Sequence, residues 1–173
     1  MAAAIFYLIH HILVKTNLFF ISGAIRSATG SEELERTGGL LKALPVLAIV
    51  FVISGFSLGG IPPLSGFFAK FAILRAGLEI NQLFAVLVGL FVGLLTLYSM
   101  TKIWAEAFWK DAPEKVVLRP LPWSTWIVVV AMACGTLILS LSPEWLLKLS
   151  TEAAQDLLAP SQYIEAVLRR SGP

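Results

Sequence analysis

Hydrophobic positions in this chain gather into long runs separated by short polar segments. Residues 4–25 form an almost wholly apolar run of about the 20 residues that a membrane span needs, interrupted strongly only by His10, His11, Lys15 and Asn17. Residues 26–42 are polar, glycine-containing and mixed in charge, and they read as an extramembrane loop with one helical turn around Glu32 to Arg36. The next apolar region, Ala43 to Leu74, is too long for one plain span and carries Gly59, Gly60, Pro62 and Pro63 at its middle. Proline removes backbone donors and blocks helical geometry, and glycine loosens the chain, so the pattern predicts half-helices over 44–58 and 64–78. Each half is shorter than the ~17 residues usually needed to cross, so the pair makes one discontinuous crossing. Residues 82–108 supply the third crossing and 123–141 the fourth.

Ser142 and Pro143 read as the N-cap and first position of a further helix. In it Glu144, Lys148, Glu152 and Asp156 recur every four residues, one polar stripe on a helix whose other faces carry Trp145, Leu146, Leu149, Ala153 and Leu157. Such a helix lies in the membrane interface or docks on a partner subunit. The chain therefore divides into a transmembrane helical region over 1–142 and an amphipathic helix and tail over 143–173. The fold class is all-α: a polytopic helical membrane protein with four crossings, the second discontinuous at Gly59–Pro63.

Composition agrees. Of 173 residues 57% are hydrophobic and 14% charged, against roughly 25% charged in soluble domains. With a mean hydropathy of +0.82 there is too little polar surface for water to be the main solvent. The net charge of +2 is scattered between the apolar runs, without the basic patch that nucleic acid requires. The single cysteine, Cys134, lies inside a hydrophobic run, supports no disulfide framework and reads as a small core residue. The N-terminal run has no basic leader and holds two histidines and a lysine, unlike a cleaved signal peptide. All five tryptophans fall near ends of the last two predicted spans, as an interfacial belt requires. Loops 26–42 and 109–122 share one side and hold Arg26, Arg36, Lys42, Lys110, Lys115 and Arg119, against Arg75 alone in the opposite short loop. The positive-inside rule puts the richer loops in the cytoplasm and both termini outside.

Lys15 sits about ten residues from either end of its span, some 15 Å from either hydrocarbon boundary at about 1.5 Å per residue. Its side chain cannot snorkel that far. A lysine at a helix centre costs about 3 kcal/mol on insertion scales, so Lys15 must face protein or water: it is either a pathway group or a structural partner of a neighbouring carboxylate. His11 precedes it by four residues and shares its face, close enough for proton exchange through one water, while an interhelical hydrogen bond is the alternative use. His10 points about 100° away and reads as an interhelical hydrogen-bond partner. Lys70, two turns beyond the break, is either a pathway group or an anchor snorkelling near Arg75. Irregular backbone within a bilayer survives only when buried in protein or lining an aqueous cavity, although a proline kink that merely shapes packing is the other reading of the break. Lys102 and Glu106 form an expected i, i+4 pair at a helix end, and Gly89 and Gly93 a small-residue packing pair. Soluble-type catalysis has no candidate residues, and neither cofactor nor metal is expected.

Two stretches, YLIHHILVKTNLFFISGAI (Tyr7 to Ile25) and GGLLKALPVLAIVFVISGFSLGGIPPLSGFFAKFAIL (Gly38 to Leu74), resemble the proton-translocating antiporter-like membrane subunits shared by Mrp-type multisubunit cation/proton antiporters and respiratory complex I. The wording of HHILVK and SGFFAKF, and of LYSMTKIWAEAFW (Leu97 to Trp109), is most similar to the D-type antiporter subunit. The resemblance implies a transporter subunit rather than an enzyme, with a water-bridged chain of membrane-embedded lysines and histidines that passes protons in exchange for a monovalent cation, Na+. His11, Lys15 and Lys70 fall on its motif positions, and His10 is a further candidate for the pathway. The partners it implies are other subunits of a multisubunit complex, the lipid bilayer of a prokaryotic-type cell membrane, protons and the cation. It also implies upstream helices, so that the chain corresponds to the last four of about fourteen spans, a truncated or split product or one read from an internal methionine. A proton-pumping subunit of a complex I-like NADH:quinone oxidoreductase and a non-transporting fragment are the alternatives.

Overall fold

The computed structural model describes residues 1–112 and 118–159. Every regular element among the described residues is helical. Helix α1, Ala2–Thr29, ends where Gly30 turns left-handed (φ 75°) and its N–H bonds the Arg26 carbonyl at 2.7 Å. After a 3-10 turn at Leu34–Arg36 and a short helix α2, Leu40–Ala43, the chain forms half-helices α3, Pro45–Gly59, and α4, Ser65–Glu79. Helix α5 covers Leu83–Trp104 and continues as a π-helical turn, Ala105–Trp109; α6 covers Trp123–Leu141 and α7 Pro143–Leu158. Three of these helices, Ala2–Thr29, Leu83–Trp109 and Trp123–Leu141, are long and apolar enough to cross a membrane, and Pro45–Gly59 is a shorter apolar helix.

Helix α1 is the hub. Its buried residues Phe6, His10, Val14, Asn17, Ile21, Ala24 and Ala28 follow each other by three or four, one stripe at helical period, and the helix packs on α3, α4, α6 and α7. One apolar core joins Ile21, Leu47, Phe51, Phe108 and Val129 from four parts of the chain. A smaller one gathers Phe6, Ala69 and Leu146. Helix α7 turns Leu146, Ser150 and Ala154, spaced by four, inward and leaves Trp145, Leu149 and Leu157 exposed. The tail from 160 onward, part of the predicted 143–173 region, lies outside the described residues.

The two basic loops meet on one side of the bundle. The Gly39 N–H donates to the Lys110 carbonyl at 2.6 Å, the Arg119 N–H donates to the Ala28 carbonyl at 2.9 Å, and Lys42 lies 3.6 Å from Asp111. Gly38 permits this contact, since a Cβ there would come within 2.6 Å of the Asp111 carbonyl oxygen. Lys115, counted with these loops, lies outside the described residues.

Two expectations are corrected. Glu106 pairs with Lys110 at 3.2 Å rather than with Lys102, because the π-helical turn rotates Glu106 away from the preceding α-helical face. Cys134 is exposed, since α6 is apolar on every side and its packed stripe is Val129, Ala133 and Thr136. Trp104 ends its helix but is half-buried, stacked on Phe108 at 5.0 Å between ring centres and on Phe51 at 6.1 Å, so it serves the core as well as the span end.

Candidate functional site

The site grows out of the break in the second crossing. A continued α-helix would bond the carbonyls of Leu58 and Gly59 to the N–H groups four residues on, but those positions are Pro62 and Pro63, which have none. The chain turns at Gly60, in the left-handed region at φ 88°, with its N–H on the carbonyls of Phe56 and Ser57, both at 3.0 Å. The Ile61 N–H also turns back to Phe56, at 3.1 Å. Gly59 O receives the Lys70 Nζ from the second turn of α4, at 2.8 Å. An ammonium on the last carbonyls of a helix is matched to both hydrogen bonding and the negative end of the helix dipole.

Lys70 opens onto a cavity of about 660 Å³ between α1, α4 and α5. Tyr7, His11 and Lys15 line it from α1, Leu58 from the end of α3, and Gly93 and Thr96 from α5. His11 stacks on Tyr7 with ring centres 5.4 Å apart, and Lys15 is exposed on the same side. Gly93 borders the lysine, a Cβ there falling at ordinary contact distance, 3.7 Å, from Lys70 Nζ. Three of the sequence-predicted groups, His11, Lys15 and Lys70, thus share one space, and among the described residues no carboxylate lines it.

His10 is elsewhere. It is 1% exposed and its Nδ1 lies 3.0 Å from Ser65 Oγ, at the first residue of α4 and behind the break. Ser65 Oγ also meets Ser57 Oγ at 3.1 Å, and the Ser65 N–H donates to Ser140 Oγ of α6 at 2.8 Å. Gly66 allows the close seating: a Cβ there would collide with the Ser57 carbonyl and lie 3.0 Å from His10 Nε2. Two turns along α1, Asn17 Nδ2 donates to Ser54 Oγ at 2.8 Å. Sequence reasoning misses these serines, although Ser57 and Ser65 flank GGIPP on both sides. The break is therefore touched by Lys70 from the cavity and by His10 from the packed interior.

A broken crossing whose end carbonyl takes a lysine, beside a cavity lined by further basic groups, marks a polytopic helical membrane protein. Residues 1–96 match the family described as NADH:quinone oxidoreductase/Mrp antiporter, TM, and the chain belongs to that family. It is 46% identical to the D-type subunit of the Na(+)/H(+) antiporter of Alkalihalophilus pseudofirmus and 39% identical to that of Bacillus subtilis, over 97% and 96% of its length. It spans about a third, 34%, of either relative. Among solved structures it is similar to the Mrp complex from a Dietzia species, with a TM-score of 0.90 and 33% identity over 97% of this chain and 40% of that one. It is also similar to respiratory complex I from Thermus thermophilus, with a TM-score of 0.70 and 27% identity over 85% of this chain and 34% of that one.

Proposed function

We propose that this chain forms the C-terminal part of a membrane subunit of a multisubunit monovalent cation/proton antiporter, and that it passes protons along Lys15, His11 and Lys70. The observation that carries this reading is the gathering of those three groups around one cavity at the end of a broken helix. Water in the cavity links them. Two charges about 7 Å apart repel by about 2 kcal/mol at an effective dielectric of about 20, so protonating one group drives a proton off its neighbour. Histidine, which ordinarily titrates nearest neutrality, shuttles between the lysines. His10, bonded to Ser65 behind the break, holds the break in shape.

Na+ is the exchanged cation in this reading, as in the names of the antiporter relatives. The partners are the other subunits of the complex and the bilayer of the cell membrane. Loops 26–42 and 109–122 face the cytoplasm by their excess of lysine and arginine. A redox-driven proton-pumping subunit of a complex I-like enzyme is the second reading, and the greater similarity to the Mrp complex favours the first. The test is Lys15→Ala and Lys70→Ala in the complete complex. Cation-driven proton movement in everted membrane vesicles should fall at least ~10-fold with the complex still assembled. Undiminished exchange in both variants refutes the pathway.

A further inference from the structure

The two prolines expose the carbonyls of Leu58 and Gly59 at the end of α3, and a charged side chain already reaches one of them. In this structure Lys70 Nζ lies 2.8 Å from Gly59 O, so a monovalent cation sits at the negative end of a helix dipole, inside the membrane region and beside an open cavity. Unwound backbone carbonyls at the C-terminal end of a half-helix are a recurrent way of binding a partly dehydrated alkali cation. Leu58 lines the same cavity, as does Thr96. Gly60 keeps the approach open: a Cβ there would lie 2.9 Å from Lys70 Cδ and 3.4 Å from its Nζ. A bulkier turn would wedge the lysine away from the carbonyl.

We propose that the carbonyls of Leu58 and Gly59, with water of the adjoining cavity, form a binding site for a monovalent alkali cation, and that this cation and the Lys70 ammonium occupy it alternately. The inference rests on the antiporter reading and supplies its exchange step. Two unit charges in contact at low dielectric exclude each other, so the cation enters as Lys70 gives up its proton to cavity water and leaves as the lysine is protonated again. The site holds one positive charge throughout. The other titratable groups facing it, Tyr7, His11 and Lys15, all come from α1; among the described residues α3 and α5 contribute none to the cavity lining. His10 lies behind the break, and Arg75 and Glu79, further along α4, pair with each other at 2.9 Å. His11 therefore receives the displaced proton, and positive charge on His11 or Lys15 hinders cation entry.

The test is binding of radioactive Na+ to the purified complete complex at pH 7 and pH 9, with wild type, Lys70→Met and Lys70→Arg compared. Competition of one proton for one cation predicts that wild-type affinity rises at least ~10-fold with pH, following one-proton linkage. Lys70→Met should lose most of that pH dependence, because no ammonium competes at the carbonyls and only the more distant charges of His11 and Lys15 still act. Lys70→Arg, whose side chain does not deprotonate, should lose the pH-dependent binding altogether. Should Lys70→Met not assemble, Lys70→Gln is read in its place with the same expectation. Identical Na+ binding in all three proteins, or wild-type binding that ignores pH, overturns the site. If exchange is lost in Lys70→Ala while Na+ binding is the same in every variant, the proton pathway stands and this site falls. Undiminished exchange in that variant and in Lys15→Ala removes the pathway itself.

Discussion

The two faces of α1 present nearly the same residue types to opposite fates. His11 and Lys15 look into the open cavity; His10 and Asn17 look into the packed seam against α3 and α4. Adjacent histidines differ only by the ~100° that one helical residue turns. On the inner face each polar side chain meets a serine hydroxyl, so neutral groups pair without water or charge. On the outer face no carboxylate among the described residues lines the cavity, and a lysine at mid-span is tolerable only against water or further protein. Neighbours, rather than residue type, decide which histidine opens onto the cavity and which one bonds a facing helix.

The largest expected effect breaks the inner face. Gly66→Ala drives a methyl into the Ser57 carbonyl and against His10, where backbone must move because no flexible side chain can give way. Overpacking of this kind should destabilise by about 3 kcal/mol, read as loss of assembled complex and a lower thermal transition in detergent. A Gly66→Ala complex as stable as wild type would mean that the half-helices are not held by this contact. The two histidines then sharpen the contrast. His11→Leu should lower exchange at least ~10-fold with the thermal transition unchanged, the signature of a lost proton shuttle. His10→Leu should do the reverse, lowering stability by about 1 kcal/mol, the scale of interhelical hydrogen bonds in membranes, with exchange per assembled complex unchanged. Swapped outcomes would exchange the roles of the two faces.

Much of the fold is legible because its signals are long-range along the chain. Apolar runs of span length and the Pro62–Pro63 pair mark the crossings and the break, and the structure ends α3 at Gly59 and restarts at Ser65. Lys15 and Lys70 are legible as candidates because charge in an apolar run is conspicuous. The cavity is not, since α3 and α5 carry no one-sided polar pattern and periodicity cannot say which of their faces turns to the bundle. The same uniformity hides the exposed position of Cys134. Ser54, Ser57 and Ser65 are invisible for another reason: a serine in an apolar run looks like any small packing residue until its partner is known. Lys102 and Lys110 both stand four residues from Glu106, and only the π-helical turn selects Lys110.

Asn17 offers the smallest effect and the finest test of what the inner face does. Its side chain is fully buried; Nδ2 bonds Ser54, and Oδ1 has no hydrogen-bond partner among the described residues. Turning the amide over would only exchange which end is left unpaired. Leucine, of similar size, gives up one interhelical hydrogen bond of about 0.6 kcal/mol and removes a buried unsatisfied acceptor costing about 1–3 kcal/mol. The freed Ser54 hydroxyl can turn to the carbonyl of Val50, one turn back on its own helix. Asn17→Leu should therefore match or slightly exceed wild-type stability and leave exchange unchanged, read by thermal unfolding of the purified complex and by vesicle assay. Exchange that collapses in a stable Asn17→Leu complex would give the inner face a share in proton movement and erase the distinction between the two sides of α1.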